Sequence, residues 1–172
     1  MRETIPRSFI QLTDTFNKPA LLLYKKDGRY LPISTAEVRE TVRRISLGLR
    51  DLGIGRGDKV VLLAENGPWW TMADYGIICL GAVTVPVYTS LMPEQIKYII
   101  EDSDARAVIV SDRALWDKVA AIRDGLRGVG HFISFEAEPA APDVIPLARL
   151  EERGARLAAE DPSLFEETAR AV

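Results

Sequence analysis

Three short apolar runs without polar alternation mark the middle of the chain: "KVVLLAE" from Lys59, "AVTVPV" from Ala82 and "AVIVSD" from Ala107. A strand with one wet face would alternate, so these runs predict strands covered on both faces, as parallel strands are. Between them the spacing turns helical. Pro68 to Leu80, Pro93 to Asp102 and Arg113 to Leu126 predict helices, the first two opened by a proline in the first turn, where its missing N–H is harmless. A further strand fits "GHFISFE". The order predicts an α/β fold: an open, mostly parallel sheet, strands at about 59–64, 83–87, 107–111 and 130–135, helices on both faces and right-handed crossovers.

The N-terminal pattern differs. Thr4 to Phe16 predicts a short helix, and "ALLLYKKDGRYLPI" predicts a hairpin at about 20–33 that turns at Asp27-Gly28, a pair that tolerates positive φ. Ser34 and Glu37 have the spacing of a capping box, after which Val38, Val42, Ile45, Leu49 and Leu52 recur along one helical face until Gly53. Arg39, Glu40, Arg43 and Arg44 mark the other face as solvated. In the helix after Asn66, Trp69, Met72, Ala73, Gly76, Ile77 and Leu80 form one stripe. Trp70, Ile78 and Cys79 make the opposite side partly apolar, so this helix is expected to pack on two sides. Past Phe135, "EAEPAAPDVIP" reads as a loop, followed by a weak helix near Ala148 to Glu160 and a polar tail without a core of its own. The expected division is therefore an N-terminal α/β subdomain over 1–135, then loop, weak helix and tail over 136–172.

Composition narrows the function classes. Hydrophobic residues make up 47% of 172, enough for a real core. With 22 Lys+Arg against 25 Asp+Glu the formal charge is −3, and the basic residues are scattered without a block, which argues against nucleic acid and favours small molecules or proteins as partners. Cys79 is the single cysteine, so an internal disulfide is excluded, in keeping with a reducing cytoplasm. "MRETIPRSFIQL" lacks the apolar core of a secretory signal and reads as mature protein. The apolar stretch from Tyr75 to Val87 falls short of the ~20 residues of a membrane span and holds glycines and a proline, so no transmembrane segment is expected.

Several residues invite chemistry. Gly53, Gly55 and Gly57 superficially resemble a nucleotide loop, but they close a helix and open a strand, the reverse of the polarity that aims a helix N-terminus at phosphate. The same objection applies to Gly125, Gly128 and Gly130. Asp102 and Asp104 lack the glycine and distal glutamate of a calcium loop and read as an exposed helix end. His131 is isolated and reads as a strand histidine with a structural or solvent partner, and Cys79 as a small buried hydrophobe. Trp69 and Trp70 start a helix where a strand ends, at the carboxyl edge where open sheets bind ligands. Core packing is the plainer reading of them. Pro86 lacks a ladder N–H and belongs at a strand end or on an edge, delivering Tyr88, Thr89 and Ser90 to the same side. Those three read either as a turn before the next helix or as ligand contacts.

The block from Leu62 to Asp112, "LLAENGPWWTMADYGIICLGAVTVPVYTSLMPEQIKYIIEDSDARAVIVSD", resembles the N-terminal region of AMP-forming acyl-CoA ligases, particularly the long-chain fatty acid type. The match includes Glu65-Asn66 with a tryptophan three or four residues later, Ala73-Asp74, Gly81-Ala82-Val83, Val85-Pro86-Val87-Tyr88, Gln95, Tyr98 and Asp102-Ser103. The preceding segment, from Asp27, is similar to what these enzymes place upstream. The resemblance implies a parent that joins a fatty acid to coenzyme A (CoA) through an acyl-adenylate, using ATP and Mg and releasing pyrophosphate. It is compatible with a cytoplasmic enzyme peripheral to the membrane. The family's Ser/Thr/Gly-rich phosphate loop, its ribose-binding aspartate and the lysine of its C-terminal domain have no match in these residues. "EDPSLFEETARAV" stops about where that loop is expected, so the resemblance implies no catalytic, cofactor-binding or metal residue here. The expectation is an N-terminal piece, inactive alone, partnered by the rest of the ligase and prone to self-association through exposed apolar surface. The alternative is a stand-alone, non-catalytic binding module derived from this subdomain.

Overall fold

Asp27 and Gly28 both adopt positive φ, 49° and 77°, and close a two-residue hairpin between β1 (Leu22–Lys26) and β2 (Arg29–Ile33), paired antiparallel. The computed structural model describes residues 3–139 and 141–172. Met1 and Arg2, in the expected mature start, and Ala140, in the expected loop, lie outside the described residues. Helix α1 (Ile5–Thr15) precedes the hairpin, and α2 (Thr35–Asp51) follows it. The capping box forms: Glu37 N–H donates to Ser34 Oγ at 3.2 Å and Ser34 N–H to Glu37 Oε2 at 2.7 Å. Gly53, at φ 80°, ends the helix.

The five-stranded sheet is parallel throughout, in the order β4 (Val83–Pro86), β3 (Lys59–Leu63), β5 (Ala105–Val110), β6 (His131–Ser134), β7 (Val144–Pro146). Its pleat explains the unbroken apolar runs. Val60 and Leu62 enter one core layer and Val61 and Leu63 the other, and all four are fully buried. Helices α1, α2, α3 (Pro68–Cys79), α6 (Leu147–Glu160) and α7 (Leu164–Ala171) cover the first face. The second is covered by α4 (Pro93–Asp102) and α5 (Arg113–Ala120).

Four expectations change. The helix expected to reach Leu126 ends at Ala120, because Ile122 N–H turns to Val119 O at 3.1 Å and a 3-10 turn follows over Arg123–Gly125. The expected loop after Phe135 contains β7, whose one proline, Pro146, is tolerated because it ends an edge strand. The weak helix is a full-length α6 packed along α2, and the tail forms α7, with Phe165 and Ala169 fully buried. Arg39, assigned to a solvated face, is half-buried and joins three helices, ion-pairing with Asp14 of α1 and with Glu166 of α7 at 2.9 Å. Partners 25 and 127 residues away leave no local signal.

Candidate functional site

After β3 the chain crosses to the first face as α3, and after β4 to the second face as α4. Neighbouring strands whose connections leave to opposite faces open a crevice at their carboxyl ends. A cleft of about 280 Å³ lies there, lined by Ala64, Glu65 and Asn66 after β3, by Trp70 of α3, and by Pro86, Val87, Tyr88 and Thr89 at the end of β4. Pro86 is both the last residue of its strand and on the sheet edge, so its missing N–H interrupts no ladder.

The structure brings Trp70, Tyr88 and Thr89 together and separates the other two candidates. Trp69 turns to the hairpin, its ring centroid 5.7 Å from that of Tyr24, and stays 39% exposed. Ser90 is exposed beyond the lining. Trp70 packs against the core with its flank on the cleft, so core packing and cleft wall are both true of it. Tyr88 is 81% exposed at the rim. Glu65, Asn66 and Val87 were not singled out from the residue pattern as lining residues. What places them is the pairing of β3 with β4 as parallel neighbours, a property of strand order.

Behind the cleft the carboxyl edge is tied together by hydrogen bonds. Glu65 N–H donates to Ser111 Oγ at 3.1 Å, Ser111 Oγ donates to Asp112 Oδ2 at 2.7 Å, and Asp112 Oδ1 caps α5 by accepting from Leu115 N–H at 3.1 Å. The remaining sequence candidates fall elsewhere. Gly53, Gly55 and Gly57 connect α2 to β3, with Gly55 N–H bonded to Asp58 Oδ2 at 2.7 Å. His131 Nε2 meets Leu52 O at 2.9 Å, a structural link between β6 and the end of α2. Asp102 closes α4, and Asp104 beyond it adopts φ 52°. Cys79 is fully buried, and burial, with Asp74 adding to it, pushes the thiol up to about 12.

The lining offers an indole, a phenol, a hydroxyl, an amide and one carboxylate, but no lysine or arginine. A triphosphate carries more charge than the start of one helix balances, and the lining supplies no cation, so this wall does not by itself fit Mg-ATP. Among the described residues no group of three or more His, Cys, Asp or Glu is gathered to hold a metal ion. The arrangement can orient a ligand by stacking and hydrogen bonding, and it presents no nucleophile paired with a base.

Fold, crevice and motif block converge on an adenylate-forming architecture, and residues 10–164 match the family model described as AMP-binding enzyme: the chain belongs to that family. It is 32% identical over 158 residues to the long-chain-fatty-acid–CoA ligase FadD15 of Mycobacterium bovis, covering 84% of this chain and 26% of that protein. Among solved structures it is similar to the anthranilate CoA ligase AuaEII in complex with anthranoyl-AMP, with 25% identity, TM-score 0.70, and coverage of 78% of this chain and 25% of that one. It is also similar to the N-terminal domain of FACL13 from Mycobacterium tuberculosis, with 27% identity, TM-score 0.62, and coverage of 90% of this chain and 36% of that one. The chain thus spans about a quarter of the length of the curated relative, 26%.

Proposed function

We propose that this chain is the N-terminal part of an AMP-forming long-chain fatty acid–CoA ligase, and that its cleft is one wall of the substrate-side crevice. The observation that carries the reading is a coincidence of two independent patterns. Glu65-Asn66 and Val85 to Tyr88, two parts of the block that resembles the ligases, stand at the carboxyl ends of β3 and β4, and most of them line the cleft there. The parent uses ATP, Mg and CoA and releases AMP and pyrophosphate. Residues 1–135 supply scaffold and wall, and 136–172 lead toward the phosphate loop.

The 172 residues alone are inactive in this reading, because the cleft lacks the cations that an adenylating transition state requires. Exposed apolar side chains support docking of the remaining ligase: Tyr88 and Met92 beside the cleft, Tyr98 on α4 and Val83 on the edge strand. A stand-alone binding module would cover such a face with polar groups. The same surface would promote self-association of the isolated piece, so a dimer in solution does not identify a biological oligomer. No helix among the described residues is long and apolar enough to cross a membrane, which suits a cytoplasmic enzyme acting at a membrane surface.

Fatty-acid-dependent exchange of pyrophosphate into ATP tests both parts. The expected result is no exchange by residues 1–172 and robust exchange by the protein extended through the phosphate loop. Exchange at a normal rate by the short chain overturns the inactivity, and none by the extended protein overturns the ligase assignment.

A further inference from the structure

The turn that carries Tyr88 and Thr89 into the cleft is weakly held by its own backbone. Val87 N–H still donates to Leu62 O at 3.1 Å, and Met92 N–H is taken by Gln95 Oε1 at 3.0 Å. Between them, among the described residues, the backbone-to-backbone bond of the turn is Leu91 N–H to Tyr88 O at 3.2 Å. One side chain from outside grips it. Lys118 of α5 donates from Nζ to Thr89 O at 2.6 Å and to Leu91 O at 3.0 Å. Among the described residues no carboxylate forms an ion pair with Lys118, so this half-buried ammonium is committed to the two carbonyls.

The anchor is rigid. Helix α5 is capped by Asp112 and buries Leu115, Trp116 and Val119 in the second core layer, so Lys118 projects from a fixed base. We infer that Lys118 is a positioning residue: by clamping Thr89 O and Leu91 O it holds the Tyr88–Leu91 turn in the conformation that lines the cleft. Hydrogen bonds from a charged donor are about twice as strong as neutral ones, which suits one residue to setting a turn that has little else to hold it. This inference rests on the ligase reading only for its kinetic consequence.

The test uses the ligase extended through its phosphate loop, with Lys118→Met, which keeps the aliphatic stem and loses the donors, Lys118→Arg, which keeps donors, and Arg113→Met on the exposed side of the same helix as control. Hydrogen exchange at the bonded amides of Leu91 and Met92 is expected to quicken by about tenfold or more in the Met variant, with Val60–Leu63 of β3 unchanged. The KM of at least one substrate rises by about tenfold while kcat moves less than about threefold, the split of a lost binding geometry. The Arg variant returns both readouts most of the way, and the control moves neither. Should the Met variant not fold, Lys118→Leu, which also lacks a donor, replaces it on the same readouts. Unaltered exchange in the turn, or acceleration spread equally through β3, overturns the clamp. Altered exchange with unaltered KM overturns the positioning role. A wild-type ligase without turnover sinks the ligase reading instead, and exchange with its arginine rescue then decides the clamp alone.

Discussion

Cys79 and Glu151 show how packing resets side-chain chemistry in this protein. Cys79 sits inside α3 with none of its surface exposed, and its thiol moves from an ordinary 9.0 up to about 12. A thiol held protonated by the fold is a poor nucleophile, so alkylation of native protein at mildly alkaline pH is expected to run at least about a hundredfold slower than that of the unfolded chain. Equal rates in the two states would contradict the buried placement. The unfolded thiol loses its proton first as pH rises, so the contribution of Cys79 to stability is complete below about pH 9 and is lost progressively toward pH 12. Glu151 of α6 is raised by burial, against the pull of Arg44 and with the push of Glu40. Glu40 itself is opposed by burial but ends lowered, because Arg43 and Arg44 hydrogen-bond it. A carboxyl raised in the folded state disfavours folding once it must ionise, so Glu151→Gln is expected to raise the melting temperature at pH 7 and to change it little near pH 4. Parallel melts at the two pH values check this, and a Gln variant less stable at pH 7 contradicts it.

Among the elements, the α2–α6 crossing is the tightest contact and has the clearest sequence cause. A Cβ on Gly154 would lie 1.9 Å from Arg44 O, and one on Gly48 would lie 2.2 Å from Leu150 O. Both obstacles are backbone, so neither can swing aside. A Cβ on Gly76 meets Ile45 Cγ2 at 2.6 Å and Ile45 Cβ at 2.9 Å, atoms held close to the α2 backbone but less crowding than those at 154 and 48, and one on Gly125 meets the flexible end of Lys97. Substitution by alanine should therefore cost most at positions 154 and 48, about 1–3 kcal/mol or more each, less at 76, and close to nothing at 125. Urea denaturation of the four variants gives the ranking, and an inverted order would mean that the helices separate freely. Helix packing of this kind explains why a segment read as weak is firm: Leu147, Leu150, Gly154 and Ala158 recur at helical spacing, and the surface of α2 that they meet after folding stabilises the face they form.

At the scale of the molecule, the sheet, the first-face helices and the C-terminal α7 share one core. Phe165 is fully buried there, and Arg39 links α7 to α1 and α2. Phe165→Ala is therefore expected to destabilise the whole unit by about 3–5 kcal/mol, read as an earlier and still single thermal transition. A separate early transition would instead assign α7 to a peripheral segment. The size of this effect also measures what local reading missed, since residues 136–172 contribute a strand and two helices where composition suggested loop, weak helix and tail.

Periodicity and termination signals are local, and they determined most elements here. The three apolar runs became β3, β4 and β5, Pro68 and Pro93 opened their helices, Ser34 with Glu37 capped α2, and Asp27-Gly28 turned the hairpin. Dihedral limits, missing N–H groups and side-chain caps act within a few residues, so the chain displays them before it folds. Strand order, the opposite exits of α3 and α4, the burial of Phe165 and the grip of Lys118 on a turn 27 and 29 residues away were decided by the tertiary structure alone. Their energy comes from surfaces that meet across the sequence. The cleft belongs to this second group: its residues were visible, but only the order of two strands made them neighbours.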